Sequence, residues 1–379
     1  MSDYCWGLQQ LGHDVTVVCN NATYLGESGQ GPNGESVVRA LHLKGSFQNG
    51  VQLLQDSGAR QAVDEWNCQI LTKFTETTQW DGLLIGNLDL LGPELLIHLL
   101  STGIPTIHHV GFVSPPFPAN AISPTPNYCI AGASLAVQRS LAAAGFSAQP
   151  EHVVYPGARI ELMGQQFTGR MLPAPLGDST QTVRALGTSA KPLKVCFAGL
   201  LMASKGAHTL VEAIIKLNQQ GVAVQATLSG AAFQAGYQEK LKNMLAEAGL
   251  SSTVTFTGNL NRPQLARMFS LHHVGVFPSI YPEAFGITGA EIQASGLVLV
   301  SSGVGGSAEL IENGVTGLTF QTGDAQDLAA KLFDLSQHPE KMIRLARNGQ
   351  QRIRDRFSVV SSTTKLERMF YDLQKKLKH

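Results

Sequence analysis

Residues 274–291 read VGVFPSIYPEAFGITGAE. Val274–Phe277 is an apolar run that forms a buried strand, ending at Pro278, which brings no N–H to a ladder. A turn carrying Glu283 and Gly286 follows, and a helix is expected to begin near Ile287 or Thr288. Gly286 lets a ligand approach the backbone closely. The N–H groups at the helix start suit an anionic phosphate. Glu291 falls in the first turns of that helix, eight positions after Glu283, so two carboxylates border one anion-binding turn. A carboxylate accepts hydrogen bonds in pairs and therefore suits vicinal sugar hydroxyls. A nucleotide-sugar site is the functional reading of this stretch. On these residues alone the alternative stands level with it: two solvated acids favoured by the helix dipole, worth about 0.3–1 kcal/mol each.

Working outward, short apolar runs alternate with helix-period stretches. Upstream of the deciding stretch lie strands Leu193–Ala198, Ala223–Ser229 and Val254–Thr257, with helices His208–Asn218, Gly236–Ala248 and Pro263–Leu271 between and after them. Downstream, Thr288–Ala294 is a short helix and Val298–Ser301 a strand. In the first half, Val15–Cys19, Gly82–Ile85, Thr106–Val110, Tyr128–Ala131 and His152–Tyr155 read as strands. Helices Pro93–Leu100 and Leu135–Ala144 lie among them. This alternation argues for mostly parallel α/β sheets. The polar, Pro- and Gly-containing stretch Glu161–Pro192 interrupts the rhythm and reads as an interdomain linker. At the start, Ser2 or Asp3 is expected to cap a helix running to about Leu11, with Gly12 ending it. A nucleotide-binding α/β domain normally opens with a strand and a Gly-rich turn before such a helix. The expectation is a first domain incomplete at its N-terminus.

Composition agrees with two such domains. The chain has 379 residues, against about 150 per domain. Its 28 basic residues balance its 28 acidic ones, which gives no support to a nucleic-acid partner. No apolar run is long enough for a membrane-spanning helix, and the N-terminus lacks the pattern of a secretory signal, so a cytoplasmic location is expected. The five cysteines are widely spaced with no CxxC, against a zinc site or a disulfide framework. The terminal KKLKH is weakly basic and reads as a solvated helix end, with peripheral membrane contact as the other possibility.

PEAFG followed by Glu291 resembles the E-x7-E motif of retaining glycosyltransferase family 4. The resemblance continues through Ala294–Gly296, the SGVGGSAE of residues 302–309, and Gly314 and Gly317. Upstream, FAGLLMASKG (197–206) resembles the family's phosphate motif and FTGNL (256–260) its base-side loop; matches in the first half extend the likeness over nearly the whole chain. It implies the GT-B architecture, two Rossmann-like domains facing a central cleft. The domains are then 1–165 on the acceptor side, a linker at 166–191, a nucleotide-sugar domain at 192–356, and a C-terminal helix, 357–379, packing back toward the first. It implies that Glu291 binds the donor ribose and that Glu283 contacts hydroxyls of the transferred sugar. The backbone of Phe285, Gly286, Ile287 and Thr288 would hold the diphosphate and sugar. Lys205, beside Gly206, would neutralise the diphosphate, with Gly199 as the motif glycine. A cleft histidine contacting the sugar is implied near GIPTIHHVG (103–111), His109 first and His108 second. Where the family has arginine after the motif glycine, this chain has Leu200.

The activity so implied is transfer of a sugar from a UDP-, GDP- or ADP-sugar to a glycan, lipid or small-molecule acceptor, giving an α-linked product with no metal required. Two other readings stand beside it. One is a catalytically impaired or non-catalytic protein that binds nucleotide sugar weakly or serves as a partner, suggested by Leu200 and by the incomplete first domain. The other is a different GT-B enzyme such as a sugar-nucleotide epimerase, which the E-x7-E spacing disfavours.

Overall fold

The computed structural model describes residues 1–21, 28–46, 52–164 and 185–378. The chain folds as two compact units, Met1–Pro156 with Val359–His379, and Gly157–Ser358. The expected boundaries at 165 and 356 shift because Ala158 N–H donates to the Phe357 carbonyl at 2.8 Å, tying this segment to the second unit. Leu186 N–H likewise donates to Ser336 O at 2.8 Å, so the last residues of the expected linker also pack there. Residues 165–184, the middle of that linker, lie outside the described residues.

The first unit opens with helix α1 (Ser2–Gln10), strand β1 (Thr16–Asn20), strand β2 (Gly29–Gln30) and strand β3 (Ser36–Leu41). A two-stranded antiparallel pair follows, β4 (Gly45–Ser46) and β5 (Gln52–Leu53), then helix α2 (Ser57–Thr77). The rest is β6 (Leu83–Ile85), α3 (Gly92–Leu100), β7 (Thr106–Val110), β8 (Tyr128–Gly132) and α4 (Leu135–Ala143). β1 and β3 pair in parallel with β2 antiparallel at the edge, and β6, β7 and β8 form a second, all-parallel ladder. Every residue of β7 is buried, as a central parallel strand requires.

Two segments that the sequence names in the first unit differ from their expected form. His152–Tyr155 is not a strand: residues 150–152 make one 3₁₀ turn, and the Val154 carbonyl accepts from side chains instead of a ladder. Neither Ser2 nor Asp3 caps α1; Met1 occupies that position without a side-chain bond.

The second unit begins with the short helix α5 (Ile160–Gly164). It then alternates β9 (Leu193–Ala198), α6 (Ala207–Gln219), β10 (Val224–Ser229), α7 (Tyr237–Glu247), β11 (Val254–Gly258), α8 (Arg262–Ser270) and β12 (Val274–Phe277). After these come α9 (Ile287–Ala294), β13 (Val298–Ser301), β14 (Leu318–Thr319), α10 (Ala325–Gln337) and α11 (Pro339–Arg356). The strands form one parallel sheet in the order β11-β10-β9-β12-β13-β14. β9 to β11 step outward one way, and the chain then returns to lay β12 on the other side of β9. Strand order therefore reverses between β9 and β12, which is where open α/β sheets bind ligands. Leu193, Val195, Val274, Val276, Val298 and Val300, all 7 % exposed or less, fill the core against α6 and α10. The last helix, α12 (Val359–Lys378), packs on α1 in the first unit through Leu366 and Leu373, which share a core with Tyr4 and Ile107.

Candidate active site

The loop after β9 and the loop after β12 are fastened to each other. Ile280 N–H donates to the Ser204 carbonyl at 2.9 Å. Gly206 holds φ +70° against the Pro278 carbonyl, at a spot where a Cβ would overlap that oxygen. A single 3₁₀ turn, Ala203–Lys205, and this glycine thus aim Lys205 across the switch point. Its ammonium donates to both oxygens of Glu283, at 2.7 and 3.0 Å.

Glu283 is held from two sides. Its backbone N–H donates to Val304 O at 3.3 Å, and its carbonyl accepts from Gly306 N–H at 2.7 Å. Gly305 at φ +63° lets the two segments meet; a Cβ there would strike the Glu283 backbone. The GG segment recognised in the sequence therefore acts as a backbone clamp on the first carboxylate. Ser279, 1 % exposed, donates its hydroxyl to Glu283 Oε1, and the Ser302 hydroxyl donates to the Ser279 carbonyl at 2.6 Å.

Three residues on, Gly286 at φ +94° turns the chain into α9. The first bonds within the helix come from Gly289 and Ala290 to Gly286 O, which leaves the N–H groups of Ile287 and Thr288 without an intrahelical acceptor. Phe285 is buried with its ring 5.7 Å from that of Phe357, so it supports the turn from within rather than facing solvent. Glu291 is buried in α9, with Arg262 Nε 3.8 Å from its Oε1. Gly199 N–H donates to Ser229 O at 3.0 Å and so closes the loop ends of β9 and β10. Leu200 beside it is 40 % exposed.

The structure thus brings Lys205, Gly206, Glu283, Gly286, Ile287 and Thr288 to the ends of neighbouring strands, with Glu291 one helical stretch behind. Ser279 and Arg262 are not singled out by the sequence, and Ser302 enters there only as the first residue of the GG segment. The signal for Ser279 was its place between the strand-ending Pro278 and Glu283. For Arg262 it was its position just inside a capping box, in which Asn261 and Gln264 bond reciprocally.

The two histidines named from the sequence are both buried in the first unit. His109 is 5 % exposed, with Nε2 2.8 Å from the Val154 carbonyl and 3.0 Å from Tyr4 Oη. His108 is fully buried, with Nδ1 3.2 Å from Tyr128 Oη and its ring stacked on Phe117. Adjacent residues on one strand point to opposite faces, and here both faces are covered. Both rings lie buried inside the first unit, and neither opens to solvent.

Burial pushes His108 down to about 3 and His109 down to about 4, from an ordinary 6.5. Unfolding restores the ordinary value, so below it the unfolded chain binds more protons and stability rises with pH. The contribution is complete above about pH 6.5 and erodes as pH falls toward 4, at about 1.4 kcal/mol per pH unit per histidine. All three tryptophans, Trp6, Trp66 and Trp80, lie in the first unit, so their emission reports its unfolding. The urea midpoint read this way should drop between pH 7 and pH 5; a flat midpoint would show that the rings protonate without cost.

Among the described residues no group of three or more His, Cys, Asp or Glu side chains is placed to hold a metal ion. Also among these, no helix is long and apolar enough to cross a membrane.

Two Rossmann-like α/β units with a switch-point site in the second are the GT-B architecture, and residues 178–352 match the family of group 1 glycosyl transferases. The chain is 34 % identical over 156 residues to a D-inositol 3-phosphate glycosyltransferase of Arthrobacter sp. (strain FB24), covering 41 % of this chain and 37 % of that protein. It is 29 % identical to a glycogen synthase of Mycobacterium tuberculosis, over 44 % of this chain and 39 % of that one. The chain therefore spans about two-fifths of the length of these curated relatives. Among solved structures it resembles a glycosyltransferase of Rickettsia africae, with TM-score 0.77 and 15 % identity over 99 % of this chain and 94 % of the other. It also resembles Anabaena HepE in complex with UDP, with TM-score 0.69 and 20 % identity over 95 % and 100 %. Likeness at such low identity establishes the shared fold, and the family match places the glycosyltransferase relationship in the second unit.

Proposed function

We propose that the chain is a retaining glycosyltransferase that moves a hexosyl group from a nucleotide sugar to an acceptor hydroxyl, giving an α-linked product. The observation that carries this reading is the convergence of Lys205, Glu283, the α9 N-terminus and Glu291 at the switch point, inside the segment that matches group 1 glycosyl transferases. Glu291 takes the ribose hydroxyls. The N–H groups of Ile287 and Thr288 and the Lys205 ammonium take the diphosphate, whose charge grows as the sugar departs. Glu283 accepts from hydroxyls of the sugar. The acceptor attacks from the face the diphosphate leaves, and a leaving-group oxygen receives the acceptor's proton, so the protein supplies position and charge rather than a nucleophile. Arg262, next to Glu291, supplies a second cation in a site where Leu200 replaces the expected arginine. His109 enters as a residue that positions β7 through Val154 and Tyr4 rather than as a sugar contact.

The test is a thermal-shift titration with UDP, GDP, ADP and their common sugar conjugates. A ligand at a hundredfold excess over its Kd stabilises the folded state by about 2.7 kcal/mol. One nucleotide series should raise Tm, and Glu291→Ala should abolish the rise. Leu200 favours one competing reading, a non-catalytic binder. Binding without turnover against a panel of glycan, lipid and small-molecule acceptors would support it. A cooperative melt with no shift for any nucleotide would count against the donor site itself.

A further inference from the structure

One ammonium group is asked to serve two anions. Lys205 donates to both oxygens of Glu283, and in the reading above the same ammonium meets the donor diphosphate. The carboxylate is the less mobile partner. It is 14 % exposed against 30 % for Lys205, its backbone is clamped by Val304 and Gly306, and its Oε1 also accepts from buried Ser279. Ser279 is in turn pinned by Ser302. The flexible lysine stem is therefore what moves when a diphosphate arrives. When it moves, a largely buried carboxylate loses its cation and two hydrogen bonds, which is costly unless other donors replace them. Sugar hydroxyls are such donors. A free nucleoside diphosphate has none at that position.

Resting on the donor-site reading, we propose that Glu283 sets a selectivity beyond sugar contact. By holding Lys205 in the empty site, it makes the protein prefer an intact nucleotide sugar to the free nucleoside diphosphate. The same competition aids product release, because once the sugar has gone Glu283 reclaims the lysine from the departing diphosphate.

The experiment is calorimetric titration of the full chain with the nucleoside diphosphate that gives the thermal shift and with its glucose conjugate. It is run on wild type, Glu283→Gln, Lys205→Met and the double variant. Glu283→Gln should tighten binding of the free diphosphate about fivefold or more and weaken binding of the conjugate, so that the preference collapses. Lys205→Met should weaken both ligands. In the Lys205→Met background, Glu283→Gln should give no gain for the free diphosphate. Two results overturn the proposal: no gain in the single variant, or a gain that persists without Lys205, which would mean simple removal of a negative charge. If Glu283→Gln does not melt cooperatively, Glu283→Asp, which shortens the reach to Lys205, must change the preference in the same direction. Failure of the donor-site reading looks different: neither the diphosphate nor any conjugate binds wild type, and the proposal falls with it.

Discussion

Glu283→Ala is expected to lower sugar transfer by about 10²–10³-fold in kcat while leaving the fold intact, a loss typical of removing one preorganised stabilising group. The fold should survive because the backbone at 283 keeps its clamp. Gly306 N–H still donates to the carbonyl, and the loop stays tied to Ser204 through Ile280. The side chain, by contrast, is the meeting point of Lys205 and Ser279, and alanine leaves both without their acceptor. The ammonium is then no longer held against its anchor, and in the proposed donor complex the sugar loses a carboxylate acceptor. Acceptor-dependent turnover, measured beside far-UV circular dichroism and Tm, checks this. Full activity in a folded variant would remove Glu283 from the site.

The second large effect is structural in origin. Gly206→Ala places a methyl group on the Pro278 carbonyl oxygen at a residue whose φ is +70°. Left-handed backbone costs about 1 kcal/mol or more for a residue with a Cβ, and the overlap adds to it, so a loss of about 3 kcal/mol or more is expected. The overlapping atom is backbone at the end of a buried strand, so it cannot swing aside as a side chain would. Relief must come from parting the two loops, which carries Lys205 away from Glu283. The variant should therefore unfold at lower urea by circular dichroism and, where still folded, show reduced transfer. A stable, fully active Gly206→Ala would mean that the loops separate without consequence.

The candidate site in the second unit is legible in the sequence because its residues are local. Pro278, Glu283, Gly286 and Glu291 lie in one strand–turn–helix, and helical spacing alone brings the last onto the element that the others introduce. Lys205 was legible through resemblance, since its meeting with Glu283 spans 78 positions and needs the parallel pairing of β9 with β12. The first unit is less legible in the sequence. Helix α2 was not foreseen, because it buries only Asn67 and Leu71 and so shows little apolar periodicity. His152–Tyr155 has the apolar look of a strand, yet the Val154 carbonyl is taken by His109 and Tyr4.

What the sequence by itself determined is the α/β alternation, the strand-ending prolines, the turn glycines and the two carboxylates, all of which follow from backbone sterics and short-range spacing. Only the tertiary structure decided which charges are already paired and which polar groups are buried. It closed Lys205 onto Glu283, brought Ser279 beneath that carboxylate, set Arg262 beside Glu291 and enclosed His108 and His109. The reason is physical: burial and ion pairing depend on elements distant in the chain meeting at a strand end, and no local pattern of residues encodes that meeting.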